Sequence, residues 1–245
     1  MRALRGELLL AAWEAGARGH ELRRPLALLA AALPATPPEA LSAMPVVARD
    51  LELLRLRALT FGPELAVLGT CPACGERLEF TLDAGELATR LEPAACAGPA
   101  EWTEDGQRYR LRPVTTDDML ATLAVPDPDA EALLLARSLE HIPNHDAERT
   151  DLSPLRSGFS PSVVKRFEEL HADAELRCAL DCPACSARHV HDFDIARFLW
   201  REVTVAARLL LAEVHALAAA YGWAERDIVR LSPPRRAAYL ELAGT

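Results

Sequence analysis

Two copies of one short motif constrain the fold of this 245-residue chain more than any other feature. Cys-Pro-Ala-Cys occurs at residues 71–74 and again at residues 182–185. A tight C-x-x-C turn presents two thiolates from one backbone bend, and a tetrahedral zinc ion takes four such donors at about 2.3 Å. The sequence therefore predicts one structural zinc site per chain, with the ligands Cys71, Cys74, Cys182 and Cys185.

Short apolar runs flank both knuckles, at residues 65–68 and 78–82 in one half and at 176–180 and 189–193 in the other. We interpret each half as strand, knuckle, strand, with Gly75 supplying the permissive backbone that a knuckle turn needs. The two halves together would form a zinc ribbon. Because they lie far apart in the sequence, a folded insert must separate them.

Other roles for the cysteines stay open at this stage. A C-x-x-C pair can be a redox motif when it opens a helix, but strand-like runs follow these two copies. Disulfides are disfavoured because the N-terminus does not resemble a signal peptide. Metal-free, degenerate knuckles remain an alternative. His189 or His191 could also replace a cysteine as a ligand, or donate a hydrogen bond to one of the cysteine ligands.

The pattern of apolar residues predicts a mainly α chain with a small β zinc ribbon, an α+β fold. Its expected parts are an N-terminal helical unit (1–64), the first ribbon half (65–83), a mostly helical insert with a β-hairpin (84–174), the second ribbon half (175–193) and a C-terminal helical region (194–245). In the last part, Asp194 to Tyr221 should form one long helix. Its continuous apolar stripe would make that helix the packing spine of the fold.

Turn and capping residues divide the remaining chain into shorter predicted elements. The N-terminal helices are expected at 1–18, 25–33 and 46–59. The insert is expected to contain helices at 83–91, 115–123, 126–141 and 160–172, a hairpin at 102–111, and loops at 92–99 and 143–160. Two short C-terminal helices are expected at 225–231 and from Pro233, the second capped by Ser232.

Charge and composition narrow the classes of partner. The net charge is -9 and Lys165 is the only lysine, while the arginines are interspersed with acidic residues. A protein that grips nucleic acid needs clustered positive charge to neutralise phosphates. The longest apolar stretches, residues 26–33 and 203–211, are too short or too interrupted to span a membrane. We expect a cytoplasmic bacterial protein with no nucleic-acid, membrane or small-molecule partner.

We find no convincing catalytic set in the sequence. His141 and His145 flank a Pro-Asn pair and could be metal ligands or general bases, but an exposed loop histidine is usually neither. Walker, dinucleotide-binding, G-x-S-x-G and H-E-x-x-H motifs are absent from the sequence. Four thiolates around zinc leave no open position for water, which is typical of a structural site. A hydrolase would require one knuckle cysteine not to coordinate. The expected protein is not an enzyme.

The C-terminal segment from Tyr221 to Leu242 supports two interpretations. It could fold back on the protein through its apolar side chains, as two docked helices. It could instead be a docking motif, because aromatic residues and arginine dominate the energetics of protein interfaces. The candidate partner-binding residues are Trp223, Arg235, Arg236 and Tyr239.

Scattered residues along nearly the whole chain resemble a known family. They are Trp13-Glu14, the run 50–57 with Thr60-Phe-Gly-Pro63, the Cys-Pro-x-Cys-Gly-Glu knuckle, Glu213-Val-His-x-Leu-Ala, Tyr221-Gly-Trp, Asp227-Ile and Arg235-Arg-x-x-Tyr-Leu-Glu-Leu. This combination resembles the T-even-type phage baseplate hub assembly chaperones, found among contractile phage-tail and extracellular injection-system proteins. The resemblance implies a non-enzymatic assembly factor or adaptor that binds baseplate hub or spike proteins, either transiently or within a tail-like particle. The alternative is a zinc-ribbon regulator that binds nucleic acid.

Overall fold

The computed structural model describes residues 1–104, 106–142, 159–172 and 174–244. The described chain is mainly helical and contains three small antiparallel sheets. The predicted α+β class is therefore confirmed. The sequence-based loop at 143–160 lies almost wholly outside the described residues, and so does His145.

The N-terminal part is helical, but the short helix Pro38–Ser42 was not predicted, and the first helix begins at Gly6 instead of residue 1. Its elements are α1 (Gly6–Ala17), a short 3-10 helix (Glu21–Arg23), α2 (Arg24–Ala32), α3 (Pro38–Ser42) and α4 (Val46–Phe61). Gly62 ends α4 with a positive φ of 94°, a conformation that glycine adopts without a steric penalty. The chain then enters the first knuckle region.

A long helix, α9 (Ile195–Tyr221), packs against this unit. Asp194 caps its start by accepting a hydrogen bond from the backbone N–H of Arg197, and Gly222 follows its end in the left-handed conformation. Seven residues along one stripe are buried: Ile195, Leu199, Val203, Ala207, Leu210, Val214 and Leu217. They join the main hydrophobic core, so α9 takes the central position predicted for it.

By length and composition alone, α9 could cross a membrane, since its most apolar 18-residue window has a mean hydropathy of 1.6. Only 28% of that window is buried in this structure. A core helix of a soluble protein meets the same criterion, so this is weak evidence. The outer side of α9 also carries apolar residues, since Val205 and Leu209 are exposed there.

Each predicted ribbon half is a two-stranded antiparallel sheet. The first consists of β1 (Glu64–Thr70) and β2 (Arg77–Asp83), and the second of β6 (Arg177–Asp181) and β7 (Arg188–Asp192). The two sheets are not joined by strand pairing within the described residues. What joins them is the contact between their knuckles and their shared packing on the helical core.

Between the halves lie α5 (Ala84–Ala95), β3 (Ala100–Glu104), β4 (Gln107–Leu111), α6 (Thr116–Thr122), α7 (Asp127–Ser138), β5 (Leu139–Ile142) and α8 (Pro161–Ala172). Most of this insert has a hydrophobic cluster of its own, built on Trp102, Leu111, Leu135 and Val163. Helix α5 instead packs against α4 in the main core. The domain boundaries stay a prediction, but α5 belongs with the core by its packing.

Two predicted element boundaries in the insert are wrong. The loop expected at 92–99 begins later, because α5 continues through Pro93 to Ala95. Pro93 has no N–H to donate and its ring crowds the carbonyl four residues earlier, but the buried Leu91 holds the last turns against the core. The helix expected to reach His141 ends at Ser138, and β5 follows as a third strand beside the hairpin.

The C-terminal helices are α10 (Glu225–Val229) and α11 (Pro233–Ala243). Ser232 precedes α11 but makes no side-chain capping bond, contrary to the sequence-based expectation. Ile228 and Val229 are buried in the main core. The segment therefore folds back against α9 and α1.

Candidate metal centre

The four predicted ligands converge, although the two knuckles are far apart in sequence. The sulphur atoms of Cys71, Cys74, Cys182 and Cys185 all lie within 4.8 Å of one another. The Sγ–Sγ distance is 3.7 Å between Cys71 and Cys185 and 3.6 Å between Cys74 and Cys182. Zinc–sulphur bonds of about 2.3 Å at tetrahedral angles place sulphurs about 3.8 Å apart. This set of four thiols could hold a metal ion.

The two knuckles have the same backbone geometry. In the first, the N–H of Gly75 donates to the carbonyl of Cys71 at 2.9 Å, and the N–H of Cys71 donates to the carbonyl of Glu76 at 2.8 Å. In the second, the N–H of Ser186 donates to the carbonyl of Cys182 at 2.8 Å. Each knuckle is therefore a closed turn that holds its two sulphurs on one side.

The residue after each second cysteine adopts the left-handed conformation. Gly75 has a φ of 77° and Ser186 has a φ of 58°. Ser186 is the one non-glycine residue with positive φ among the described residues. A side chain at such a position is strained by its contact with the backbone. That a serine tolerates it indicates that the knuckle turn, and not local preference, sets the backbone there.

The centre has a buried side and an exposed side. Cys71 and Cys182, the first cysteine of each knuckle, are only 1% and 2% exposed, whereas Cys74 and Cys185 are exposed. Leu78 completes a small hydrophobic cluster with the two buried cysteines. A metal ion here would be held by two cysteines that pack against apolar residues and by two that are exposed to solvent.

The thiols have unequal affinities for protons. Burial opposes ionisation of Cys71, but hydrogen bonds from the backbone N–H groups of Cys74 and Ala73 lower the pKa of its thiol to about 6. For Cys74, the backbone N–H of Glu76 favours the thiolate, yet the neighbouring thiols and burial prevail and raise its pKa to about 12. One thiol of the cluster, that of Cys71, therefore loses its proton easily, whereas the thiol of Cys74 keeps its proton. A cation among the sulphurs would favour release of that proton.

Both halves reach the centre because they pack on the same core. Leu65 and Val67 of β1 are buried there, and so are Leu176 and Cys178 on the other side. The N–H of Phe193 donates to the carbonyl of Leu176 at 2.8 Å, which ties the strand pair to the start of α9. The helical core therefore determines where the two knuckles meet.

The two histidines of β7 stand beside the centre and not in it. His191 meets Phe80 edge to face, with ring centroids 5.6 Å apart, in the contact between the two sheets. Both ring nitrogens of His189 are shielded from solvent and make no hydrogen bond with the described residues. The four converging donors are all cysteines, so neither histidine replaces one in this arrangement. Cys178 is a buried residue of β6, and Cys96 is an exposed free thiol.

The four candidate partner-binding residues have different surroundings. The ring of Trp223 stacks on Tyr221 at a centroid distance of 4.7 Å and meets Tyr239 edge to face at 4.9 Å. Arg235 is exposed. Arg236 is 7% exposed; its guanidinium donates to Glu213 at 2.6 Å and to the carbonyl of Leu231 at 2.7 Å. Arg236 therefore anchors α11 within the chain, and partner binding stays a prediction for all four residues.

Sequence reasoning missed a buried carboxylate in the insert. Asp118 is 1% exposed and accepts hydrogen bonds from Arg112 at 2.6 and 3.0 Å and from Arg137 at 2.9 Å. Burial opposes its ionisation, but Arg112 and the capping bonds of Thr115 hold the pKa of Asp118 well below its usual value. The capping spacing from Thr115 to Asp118 was visible in the sequence, whereas the two arginines were not linked to it.

A cavity of about 690 Å³ opens between α4, α8 and β6, away from the cysteines. Arg49 lines it and is bonded to Asp50 at 2.8 Å and to Thr116 at 3.1 Å. Burial raises the pKa of Asp50, although Arg49 opposes this. His171, also in its wall, donates to the carbonyl of Phe167 and accepts from the N–H of Val114. The polar groups named here have partners within the protein.

Comparison with known proteins adds no family assignment. No protein-family model matches the chain, and no curated protein or solved structure is significantly similar to it. The role of the four-cysteine centre therefore has to be argued from its geometry.

Proposed function

We propose that the chain is a non-enzymatic assembly factor or adaptor whose scaffold is held together by one zinc ion in the four-cysteine centre. The observation that carries this is the convergence of Cys71, Cys74, Cys182 and Cys185 at spacings close to those of a tetrahedral thiolate site. Among common cellular metals, four thiolates in a tetrahedral arrangement favour zinc or iron. Of these two we propose zinc.

A structural role follows from the number of donors. Four cysteines saturate a tetrahedral ion and leave no position for a water molecule or a substrate. What such an ion does is fix two distant parts of the chain relative to each other. Here it would lock the sheet β1–β2 to the sheet β6–β7 and so hold both ends of the insert against the helical core.

The finer proposal is that this scaffold serves the baseplate hub of a contractile, phage tail-like injection system. Its support is the resemblance of the run 50–63 and of the C-terminal segment to hub assembly chaperones. The C-terminal segment presents partly exposed aromatic residues, Trp223 and Tyr239, and the exposed Arg235, which suits a role in binding other proteins.

The metal is tested first by elemental analysis of the purified protein. One zinc per chain in the wild type, and none in Cys182→Ser, is the expected result. Iron in place of zinc would change the cofactor and leave the scaffold role intact. A wild-type protein without any metal, and with an unchanged melting temperature after treatment with a chelator, would refute the metal-held scaffold.

The partner is tested separately, by co-expression with baseplate hub and spike proteins of a contractile injection system. We expect the tagged chain to capture one of them, and a charge reversal at Arg235 to weaken that capture. Consistent failure to capture either component, by a chain that carries its zinc, would refute the baseplate role without affecting the metal site.

A further inference from the structure

The outer side of α9 carries an apolar row that nothing in the described chain covers. Val205 is 58% exposed and Leu209 is 61% exposed, whereas a helix on the surface of a globular protein normally presents polar residues there. Across a groove of about 440 Å³, Leu68 of β1 is 59% exposed and Phe61 is 37% exposed. Exposed apolar side chains that lie together in this way mark interaction sites.

Three arginines accompany this apolar row. Arg197, Arg201 and Arg208 are all exposed on α9. Spacings of four and seven residues place them on one face of a helix, beside Val205 and Leu209. We call these five residues the outer α9 surface. It extends over twelve positions, or about 18 Å of helix.

The three arginine side chains have no acidic partner in the part of the chain that the structure describes. Arg55, Arg57 and Arg112 are paired with carboxylates, whereas exposed Arg77, Arg188 and Arg230 have no acidic partner among the described residues. What distinguishes the three arginines of α9 is that they lie beside exposed apolar side chains, and arginine is enriched in protein interfaces. The outer α9 surface is thus a local positive, apolar region on a chain whose net charge is -9.

A second copy of the chain fits this surface poorly. The acidic residues of α9 are Glu202 and Glu213, and both are already bonded, to Arg57 and to Arg236. A twofold contact centred on Val205 and Leu209 would bring six arginines together without a free carboxylate on either helix. A symmetric α9–α9 contact would bring like charges together and leave these arginines unpaired. Carboxylates from another surface are needed to pair with Arg197, Arg201 and Arg208.

We propose that the outer α9 surface is the docking site for an acidic, amphipathic helical segment of a partner protein. The apolar face of that segment would lie in the groove against Val205, Leu209 and Leu68, as in helix-in-groove recognition. Its Asp or Glu residues would pair with Arg197, Arg201 and Arg208. The inference uses no residue of the cysteine centre and does not depend on the proposed function.

The test is a selection from a displayed library of helix-forming peptides about 14 residues long. Peptides that bind the wild type are kept, and those that also bind Leu209→Asp are removed. The affinity of the remaining peptides is then measured for the wild type and for each variant. We expect them to be rich in Asp and Glu, and to bind Leu209→Asp and Arg201→Glu about tenfold more weakly. Exchanging a peptide Glu for Arg should restore binding to Arg201→Glu, an outcome that a merely structural effect of the substitution would not produce.

Matched controls lie elsewhere on the surface. Arg230→Glu changes an exposed charge and Leu242→Asp an exposed apolar residue, one that is 78% exposed, and both should bind the peptides like the wild type. Zinc content and melting temperature should be unchanged in all variants, because the altered side chains are exposed.

Several results would overturn the proposal. Enrichment of no peptide, or of basic peptides, would do so. A wild-type dimer in light scattering that Leu209→Asp dissociates would assign the surface to a second copy. Salt-sensitive binding to a single-stranded oligonucleotide, or to anionic lipid vesicles, that is lost in Arg201→Glu would assign it to nucleic acid or to a membrane surface.

Discussion

The sulphur of Cys71 lies 3.7 Å from that of Cys185, although 114 positions separate the two residues in the chain. The sulphur of Cys74 likewise lies 3.6 Å from that of Cys182. The two knuckles therefore interlock: the first cysteine of one faces the second cysteine of the other. In a metal-bound centre, loss of any one thiolate should affect both halves of the ribbon region.

The first prediction concerns the metal and stability. Cys182→Ser should lose the metal and lower the free energy of unfolding by several kcal/mol, because the binding energy of a structural ion is part of the folding energy. Chemical denaturation with and without a chelator measures this. Cys96→Ser removes an exposed thiol away from the centre and should match the wild type in both metal content and stability. Equal stability of the two variants would contradict the prediction.

The second prediction compares adjacent arginines in α11. Arg236→Ala should lower the free energy of unfolding by about 3 kcal/mol, because it leaves the carboxylate of Glu213 and the carbonyl of Leu231 without their buried donor. Arg235→Ala, one residue earlier and exposed, should change it by less than about 0.5 kcal/mol. Thermal and denaturant unfolding of the pair provide the measurement. Similar losses in both variants would show that α11 is not anchored in this way.

The third prediction concerns acid sensitivity. The pKa of Asp118 is lower in the folded chain than its usual value, so its ionised form is stabilised by folding. This contribution is fully present above about pH 5 and is lost as the pH falls through and below about 4. Asp118→Asn should be about 2 kcal/mol less stable than the wild type at pH 7, and the difference should narrow below about pH 4. Denaturation measured at a series of pH values tests this.

Asp117→Asn is the control for that series. Asp117 is exposed and accepts one hydrogen bond, from Ser42. The substitution Asp117→Asn should change the free energy of unfolding only slightly, and that change should depend little on pH. A gap between wild type and Asp118→Asn that stays constant from pH 7 to pH 3 would argue against the ionised carboxylate as the source of stability.

The fourth prediction exploits the equivalence of Gly75 and Ser186. Ser186→Gly should raise the free energy of unfolding by up to about 1 kcal/mol, because the left-handed backbone strains a side chain at this position. Gly75→Ser places the same strain in the other knuckle and should lower it by about 1 kcal/mol. A Cβ at Gly75 would meet no atom within 4 Å, so the effect there is one of backbone conformation alone. Effects of the same sign in both variants would contradict this explanation.

Local patterns in the sequence were sufficient for much of the fold. The two C-P-A-C motifs predicted the four cysteines that converge, because a knuckle's spacing determines what its turn can present. The helix predicted from Asp194 to Tyr221 matches α9, whose ends are set by the cap at Asp194 and by Gly222 next to them in the chain. The apolar periodicity of α9 likewise predicted its buried stripe. In each case the signal and the structure it specifies lie within a few residues of each other.

Tertiary contacts decided the rest. Residues 139–142 form a strand because Leu139 packs on the cluster of the insert, and because β4 offers a free edge for pairing. Helix α5 continues past Pro93 because the core holds Leu91.

The environment of Arg236 and the bonding of Asp118 depend on partners that are 23 and 19 positions away, respectively. The sequence by itself determined which residues could form helices, strands and a metal centre. Which of them meet was decided by packing between distant segments, since burial and ion pairing depend on distances in space that local sequence does not specify.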